Sequence, residues 1–141
     1  MPENAVNSKA RIIVLADAAL EVCIMGVWSG FRLKEGGWSC QLLIARSSLA
    51  AENSTIPKNE LQALCSASNL GWTVEKSLDD WVDEKVVASD STIALSWAMS
   101  ETKPLAMFHK NRVIEILRGT KKEQLYHVRK GGECCRCWDQ A

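Results

Sequence analysis

The chain has 141 residues, 47% of them hydrophobic and 24% charged, which is typical of a single soluble globular domain. Because 17 basic and 17 acidic residues cancel, the whole-chain charge gives no argument for binding to nucleic acid or to a membrane surface. No apolar run is long enough to cross a membrane, no leader peptide is recognisable, and the six cysteines are unevenly spaced. These features predict an intracellular protein, cytoplasmic or nuclear and not secreted, with no membrane partner.

Three strands are predicted first along the chain. Residues 11–17 contain five consecutive apolar residues, three of them β-branched, and end on Asp17. Residues 21–32 and 38–46 are predicted as the second and third strands, because a two-glycine turn separates them. This order predicts an antiparallel meander, in which one face of the third strand carries Trp38, Cys40, Leu42 and Ile44.

A helix and a further strand follow a small, polar loop. The helix is predicted over 57–76, begins with a proline, and carries Glu60 in its first turn. Residues 84–89 are predicted as the fourth strand. Asp90 and the two polar residues after it are expected to cap a helix that runs to about residue 99.

The last predicted elements are a helix over 105–118 and a fifth strand over 124–128. The complete order, β-β-β-α-β-α-α-β, predicts an α/β domain over residues 11–130. Its five-stranded mixed sheet would have helices packed on it. Residues 1–10, which precede the domain, are polar and are predicted to be loose.

Three acids stand at the ends of predicted elements: Asp17, Glu60 and Asp90. A carboxylate at the end of a buried strand needs hydrogen bonds, a cation or a metal ion as a partner. Position alone also permits structural roles, since Asp90 could cap a helix and Glu60 could complement a helix dipole. The residues by themselves leave open whether these acids form one metal site.

Four segments of the chain match motifs of one known family. Residues 56–61, IPKNEL, resemble that family's IPRLEL, and residues 88–97, ASDSTIALSW, resemble its TDS-x-x-x-L-x-W. Residues 108–116, FHKNRVIEI, resemble F-x-x-NRV-x-EI, and residues 125–129, LYHVR, resemble the strand before the last family acid. Four such segments in the right order are more specific than any one of them. Together they resemble the ribonuclease H-like region of BEL/Pao-type retrotransposon polyproteins, and the resemblance implies the ribonuclease H-like fold.

The resemblance also implies a site and a reaction. Asp17, Glu60 and Asp90 match the first three acids of a site that holds two Mg²⁺ or Mn²⁺ ions. In that family the site hydrolyses the RNA strand of an RNA–DNA hybrid. Asp17 and Asp90 would bind or bridge metal, and Glu60 would bind metal and position water. The implied partners are an RNA–DNA hybrid or other nucleic acid and the reverse transcriptase region of a parent polyprotein.

The fourth acid of that family has no counterpart here. The family pattern after the fifth strand is close to N-x-AD-x-x-(S/T)R, whereas residues 131–141 are GGECCRCWDQA. Suitable synonymous codons for the residues from Glu133 onward, translated one base later, encode Asn-Val-Ala-Asp-Val-Gly-Thr-Arg. We therefore hypothesise that the chain from about Gly132 onward is a frameshifted tail, in which Asp139 is accidental. Residues 131–141 are then expected to be disordered, and the family's C-terminal helix to be missing.

A basic cluster is the remaining candidate for binding nucleic acid. It consists of Arg118, Lys121 and Lys122, with Arg129 further along the chain. These side chains could contact a phosphate backbone, or they could form an ordinary solvated face. Both interpretations stay open.

The cysteines near the C-terminus and the two histidines have structural interpretations. Cys134 and Cys137 have a C-x-x-C spacing, but a zinc site usually needs two such pairs, so no zinc site is predicted. His109 is expected to be solvated on a polar helix face, and His127 to be an edge-strand residue.

Two functional hypotheses follow. In the first, the chain is a retroelement polyprotein fragment derived from a Mg-dependent hybrid endonuclease, and it is catalytically impaired because one carboxylate of the two-metal site is lost. In the second, the domain keeps the fold but binds nucleic acid or another partner without catalysis. A degenerate product without function is a third possibility. A metal titration separates the first hypothesis from the second.

Overall fold

The structure is a computed structural model that describes residues 9–99 and 107–128. Its strands are β1 (Ala10–Ala18), β2 (Val22–Arg32), β3 (Trp38–Leu49), β4 (Val82–Ser89) and β5 (Leu125–His127). Its helices are α1 (Ile56–Ser77), α2 (Thr92–Met99) and α3 (Met107–Gly119). The five strands form a sheet in the order β3-β2-β1-β4-β5. The pairs β1–β2 and β2–β3 are antiparallel, whereas β1–β4 and β4–β5 are parallel.

The main core lies between one face of this sheet and the three helices. Ile12 and Val14 of β1 are fully buried there, together with Leu61 of α1. α1 comes closest to the sheet at Gly71, where an added Cβ would lie 2.8 Å from Cγ2 of Val14. Apolar residues of α2 and α3 complete the same cluster, so all three helices pack on this face: Ala94, Leu95, Ala98, Val113 and Ile116.

The third strand is longer than predicted. Residues 47–49 were expected in a loop, but they continue β3, because Leu49 pairs with Val22 at the start of β2. The ladder also shifts by one residue between Val27 and Trp28. This shift is a β-bulge, which inserts one extra residue into β3.

The bulge makes one sequence prediction wrong. Trp38, Cys40, Leu42 and Ile44 do not share a face, because Ile44 packs against the helix-side core while Trp38 and Cys40 pack on the opposite side. Side chains alternate along a strand with a period of two, so a single inserted residue moves every later side chain to the other face.

The face of the sheet away from the helices has a smaller cluster. Ile13 and Val86 are buried there beneath a ring of partly buried side chains. The indole of Trp28 lies over Gly26, where an added Cβ would be 2.6 Å from the ring, so any other residue there would require the indole to shift. Within the described ranges no helix packs on this face, and Ile24 on it is 49% exposed.

The predicted five-stranded mixed sheet, with its antiparallel β1–β3 meander and helices packed on it, is confirmed. Of the predicted loose N-terminus, residues 1–8 lie outside the described residues, while Ala10 already belongs to β1. The predicted tail, residues 131–141, also lies outside them. None of the described helices is both long enough and apolar enough to span a membrane.

Candidate functional site

Asp17 and Asp90 lie at the same end of two adjacent strands. In the parallel ladder between β1 and β4, Ala16 pairs with Ser89, and paired strands are about 4.8 Å apart. Each aspartate is the residue directly after this last pair. Asp17 is exposed and Asp90 is half-buried. Oδ1 of Asp17 accepts a hydrogen bond of 2.8 Å from the backbone N–H of Ala18.

Glu60 approaches the same end of the sheet from α1. The hydroxyl of Thr55 caps this helix by accepting a hydrogen bond of 3.4 Å from the backbone N–H of Lys58. Because the helix begins at Ile56, Glu60 is its fifth residue, so the prediction of a first-turn acid is wrong by one position. Oε2 of Glu60 accepts a hydrogen bond of 2.6 Å from the hydroxyl of Ser91.

Ser91 connects these acids, and sequence analysis missed that role. It directly follows Asp90, is only 5% exposed, and accepts a hydrogen bond of 3.1 Å from the backbone N–H of Ala94. Its hydroxyl therefore caps α2 and holds Glu60 at the same time. A serine at a helix start predicts the cap, but nothing local predicts which distant carboxylate it meets.

The three acids share one end of the sheet without forming a ready-made metal cluster. Within residues 9–99 and 107–128, no group of three His, Cys, Asp or Glu side chains is arranged to hold a metal ion. Asp17 and Glu60 instead accept hydrogen bonds from Ala18 and Ser91. Carboxylate oxygens are nevertheless the ligands that Mg²⁺ and Mn²⁺ prefer, so the chemistry of this donor set fits such an ion.

Both histidines lie close to this end of the molecule. Nε2 of His127 is 3.2 Å from the backbone carbonyl oxygen of Asp90. The ring of His109 contacts that of Trp97 in a tilted arrangement with centroids 4.3 Å apart, and it is also in edge contact with Phe108. His109 is thus half-buried, and the prediction that it is solvated is wrong.

The predicted nucleic-acid-binding residues lie away from the acids. Arg118 is in the last turn of α3, and Lys121 and Lys122 come directly after that helix. Arg129 lies outside the described residues. α3 has 13 residues, so about 20 Å separates this basic group from the start of the helix.

A different basic group lies where the start of α3 meets the start of α1. The ring of Phe108 has Nζ of Lys58 at 5.6 Å and the guanidinium of Arg112 at 4.9 Å from its centroid. We call these three residues the basic–aromatic cluster. Lys58 and Glu60 both lie near the start of α1, although residues two positions apart in a helix point in different directions, so the cluster shares this end of α1 with Glu60. The sequence motif that contains Phe108 and Arg112 gave no sign of their contact with α1.

Several titratable side chains with shifted pKa values form hydrogen bonds between α1 and its neighbours β4 and α3. Lys85 is 1% exposed and donates a hydrogen bond to the carbonyl of Gly119, and burial lowers the pKa of its ammonium group, although Glu75 is 3.4 Å away. Burial raises the pKa of Cys65 to about 12. The thiol of Cys65 donates to the carboxylate of Glu115 over 3.2 Å and lowers the pKa of that carboxyl. These groups serve the packing of the helices.

Solved structures that share this fold include ribonuclease H proteins and a viral protease-reverse transcriptase. Prototype foamy virus protease-reverse transcriptase superposes with a TM-score of 0.54 at 15% identity, over 89% of this chain and 18% of the viral chain. The N-terminal RNase H domain of Rv2228c from Mycobacterium tuberculosis gives 0.52 at 10% identity, over 86% of this chain and 84% of that one. LC11-RNase H1, isolated from compost, gives 0.51 at 19% identity, over 95% and 92%. The chain therefore has the ribonuclease H-like fold.

The family follows from the sequence match. The family described as "Pao retrotransposon-like RNaseH-like domain" matches residues 1–91, which is more than half of the chain. This chain belongs to that family and is a ribonuclease H-like domain of the retroelement-polyprotein type. A search among curated proteins finds no match.

Proposed function

We propose that this domain binds an RNA–DNA hybrid and a divalent cation, and that it derives from a two-metal nuclease. Asp17, Glu60 and Asp90 are the proposed metal ligands. The observation that supports the proposal is the position of the three acids at one end of the sheet. The β1–β4 ladder ends one residue before both aspartates, and Ser91, the residue directly after Asp90, donates a hydrogen bond to Glu60.

The ligand roles follow from how each carboxylate is held. Asp17 is exposed, and among the described residues its carboxylate bonds only to its neighbour's N–H, so a change of rotamer that turns it toward a shared ion meets little resistance there. Ser91 occupies Oε2 of Glu60 and thereby orients Oε1 toward metal or water. A bound pair of divalent ions supplies a more acidic water and stabilises charge on the leaving oxygen.

The basic–aromatic cluster is proposed to contact the hybrid beside the acids. Lys58 and Arg112 carry positive charge, and Arg112 is half-buried against Phe108, which limits its freedom before binding. Contacts between such side chains and phosphates release counterions and supply most of the sequence-independent affinity for nucleic acid.

We propose that hydrolysis is slow or lost. Residues 131–141 offer no acid that matches the fourth position of the family pattern. A two-metal site that lacks one carboxylate holds its ions less tightly and orients water less well. The reverse transcriptase region of a parent polyprotein is the proposed neighbour. The superposed part makes up only 18% of the foamy virus protease-reverse transcriptase chain, which agrees with a domain inside a larger polyprotein.

A calorimetric titration with Mn²⁺ tests the proposal, with Asp17→Asn compared with Asp83→Asn. Asp83 is an exposed acid near the opposite end of β4, so its variant is a matched change of charge. The wild type is expected to bind Mn²⁺, Asp17→Asn to bind it at least about tenfold more weakly, and Asp83→Asn to bind it as the wild type does. Equal affinity in the two variants contradicts a role for Asp17 in metal binding.

A second candidate is a hybrid-binding domain that uses no metal. It is favoured by the finding that no three metal-ligating side chains in the described ranges are pre-arranged around an ion. Binding of a short RNA–DNA hybrid, measured by fluorescence anisotropy with EDTA and with Mn²⁺, separates the two functions. Metal-independent binding that Asp17→Asn leaves unchanged supports the second candidate, while a requirement for Mn²⁺ supports the first.

A further inference from the structure

Asn59 is a buried polar residue that directly precedes Glu60. It is only 2% exposed, although it lies near the start of α1. Its Nδ2 donates two hydrogen bonds, of 3.0 Å to the carbonyl of Ala19 and of 2.9 Å to the carbonyl of Leu20. Buried carbonyls and amides need such partners, because an unpaired buried polar group destabilises the fold. The side chain thus joins α1 to the turn between β1 and β2.

The backbone makes the same connection at a second point. The thiol of Cys23, in β2, donates to the carbonyl oxygen of Asn59 over 3.5 Å. The turn itself is closed by a hydrogen bond of 2.8 Å from the N–H of Ala19 to the carbonyl of Val22. Because the turn is closed, and both the turn and the start of β2 are bonded to Asn59, the helix start and the end of β1 cannot easily move apart.

Asn59 lies on a short path between two of the proposed ligands. Ala19 is two residues after Asp17, and Asn59 is one residue before Glu60. The other two pairs of acids have their own connections, since the β1–β4 ladder joins Asp17 to Asp90 and Ser91 joins Asp90 to Glu60. The Asn59 amide supplies the third connection.

We propose that Asn59 is a positioning residue that sets the separation between Asp17 and Glu60 and so controls affinity for the divalent cation. This inference rests on the proposed function. The segment IPRLEL, which residues 56–61 resemble, has leucine at the position of Asn59. Leucine cannot donate a hydrogen bond, so this chain has a polar tether that such a segment lacks.

Two variants of the full chain remove the tether, Asn59→Ala and Asn59→Leu. The leucine variant keeps an apolar side chain of similar volume, which protects folding if the alanine variant is too unstable to study. Ser68→Ala is the matched control. Ser68 is also fully buried in α1 and bonds the carbonyl of Ile116 at 3.0 Å, but it lies about 13 Å further along the helix.

The first measurement is the Kd for Mn²⁺. Both Asn59 variants are expected to bind Mn²⁺ about 10-fold to 100-fold more weakly than the wild type, the range typical for loss of an outer-sphere partner. Ser68→Ala is expected to lose thermal stability while keeping the Mn²⁺ affinity. Wild-type affinity in a folded Asn59 variant overturns the inference. An equal loss of affinity in Ser68→Ala also overturns it, because general loosening of α1 would then account for the effect.

The second measurement does not depend on metal. Hydrogen exchange at the amide of Ala19 is expected to accelerate in Asn59→Leu and to stay unchanged in Ser68→Ala. If the exchange rate at Ala19 is unchanged in Asn59→Leu, Asn59 does not hold the turn between β1 and β2, and the inference fails while the proposed function stands. If Asp17→Asn binds Mn²⁺ as tightly as the wild type, or the wild type binds none, the proposed function fails and the positioning role fails with it.

Discussion

The hydroxyl of Ser91 donates a hydrogen bond of 2.6 Å to the carboxylate of Glu60 from 31 residues further along the chain. The same oxygen accepts the N–H of Ala94, so one side chain caps α2 and orients an acid on α1. A hydrogen bond to an ionised carboxylate is shorter and stronger than one between neutral groups. The start of α2 and the proposed site are therefore coupled through a single buried residue.

Replacing Ser91 is expected to lower both the stability of the protein and its affinity for metal. Ser91→Ala loses the helix cap and leaves Glu60 without its donor, so the free energy of unfolding is expected to fall by about 1–2 kcal/mol. Urea denaturation measures this change, and a Mn²⁺ titration measures the effect on the acids. Ser96→Ala, at an exposed position of the same helix, is the control. A loss of stability in Ser96→Ala as large as that in Ser91→Ala contradicts the cap.

The position of the basic–aromatic cluster predicts where nucleic acid binds. Lys58→Ala and Arg112→Ala are each expected to reduce the slope of log affinity against log salt concentration by about 1, because each removes one proposed phosphate contact. Anisotropy titrations at several salt concentrations measure the slope. Lys121→Ala removes the same charge beyond the far end of α3 and is expected to change the slope less. A larger change of slope in Lys121→Ala than in Lys58→Ala or Arg112→Ala would instead place the hybrid on the basic group that sequence analysis predicted.

The close approach of α1 to β1 makes Gly71 sensitive to substitution. Alanine is the better helix former by about 1 kcal/mol, yet its Cβ at this position would lie 2.8 Å from Val14. Overpacking of this kind costs about 1–3 kcal/mol, so Gly71→Ala is expected to lower the free energy of unfolding or leave it without a gain. Thermal denaturation checks this, with Thr73→Ala at an exposed position of α1 as control. Clear stabilisation by Gly71→Ala contradicts the tight contact.

Burial of Cys65 predicts a loss of stability in alkaline solution. Its pKa is raised in the folded protein from 9.0 to about 12, so the unfolded chain loses its thiol proton first as the pH rises. The contribution of Cys65 to stability is therefore complete below pH 9 and declines between pH 9 and pH 12. The decline is at most about 1.4 kcal/mol per pH unit. In Cys65→Ala the free energy of unfolding is expected to fall less between pH 9 and pH 12 than in the wild type. If the two proteins lose stability equally over this range, the decline does not come from Cys65.

The hypothesis of a frameshifted C-terminus is tested by the coding DNA alone. Translation of the codons for residues 132–141 from one base later is expected to yield an Asn-x-Ala-Asp string. The fourth acid of the family would then have been lost by a single inserted base. An alternative frame without that string rules out the frameshift, and the question of a fourth acid then rests on the residues as they stand.

Much of the fold was predictable because its signals are local. The apolar run of β1, the two-glycine turn after β2 and the proline at the start of α1 each act within a few residues. The order of the predicted strands and helices was sufficient to predict a mixed sheet. The bulge in β3 was not predictable, because a bulge depends on how one strand aligns with its neighbour. The extension of β3 to Leu49 was missed for the same reason, since small polar residues there become strand only by pairing with β2.

The sequence by itself determined the strands and helices and the residue types at their ends, including the three acids. Only the tertiary structure decided what those acids meet. Ser91 and Asn59 find partners 31 to 40 residues away, and Lys58 meets Phe108 across two helices. Local propensity acts over one or two turns of chain, whereas such contacts depend on how the packed helices and strands are placed in space.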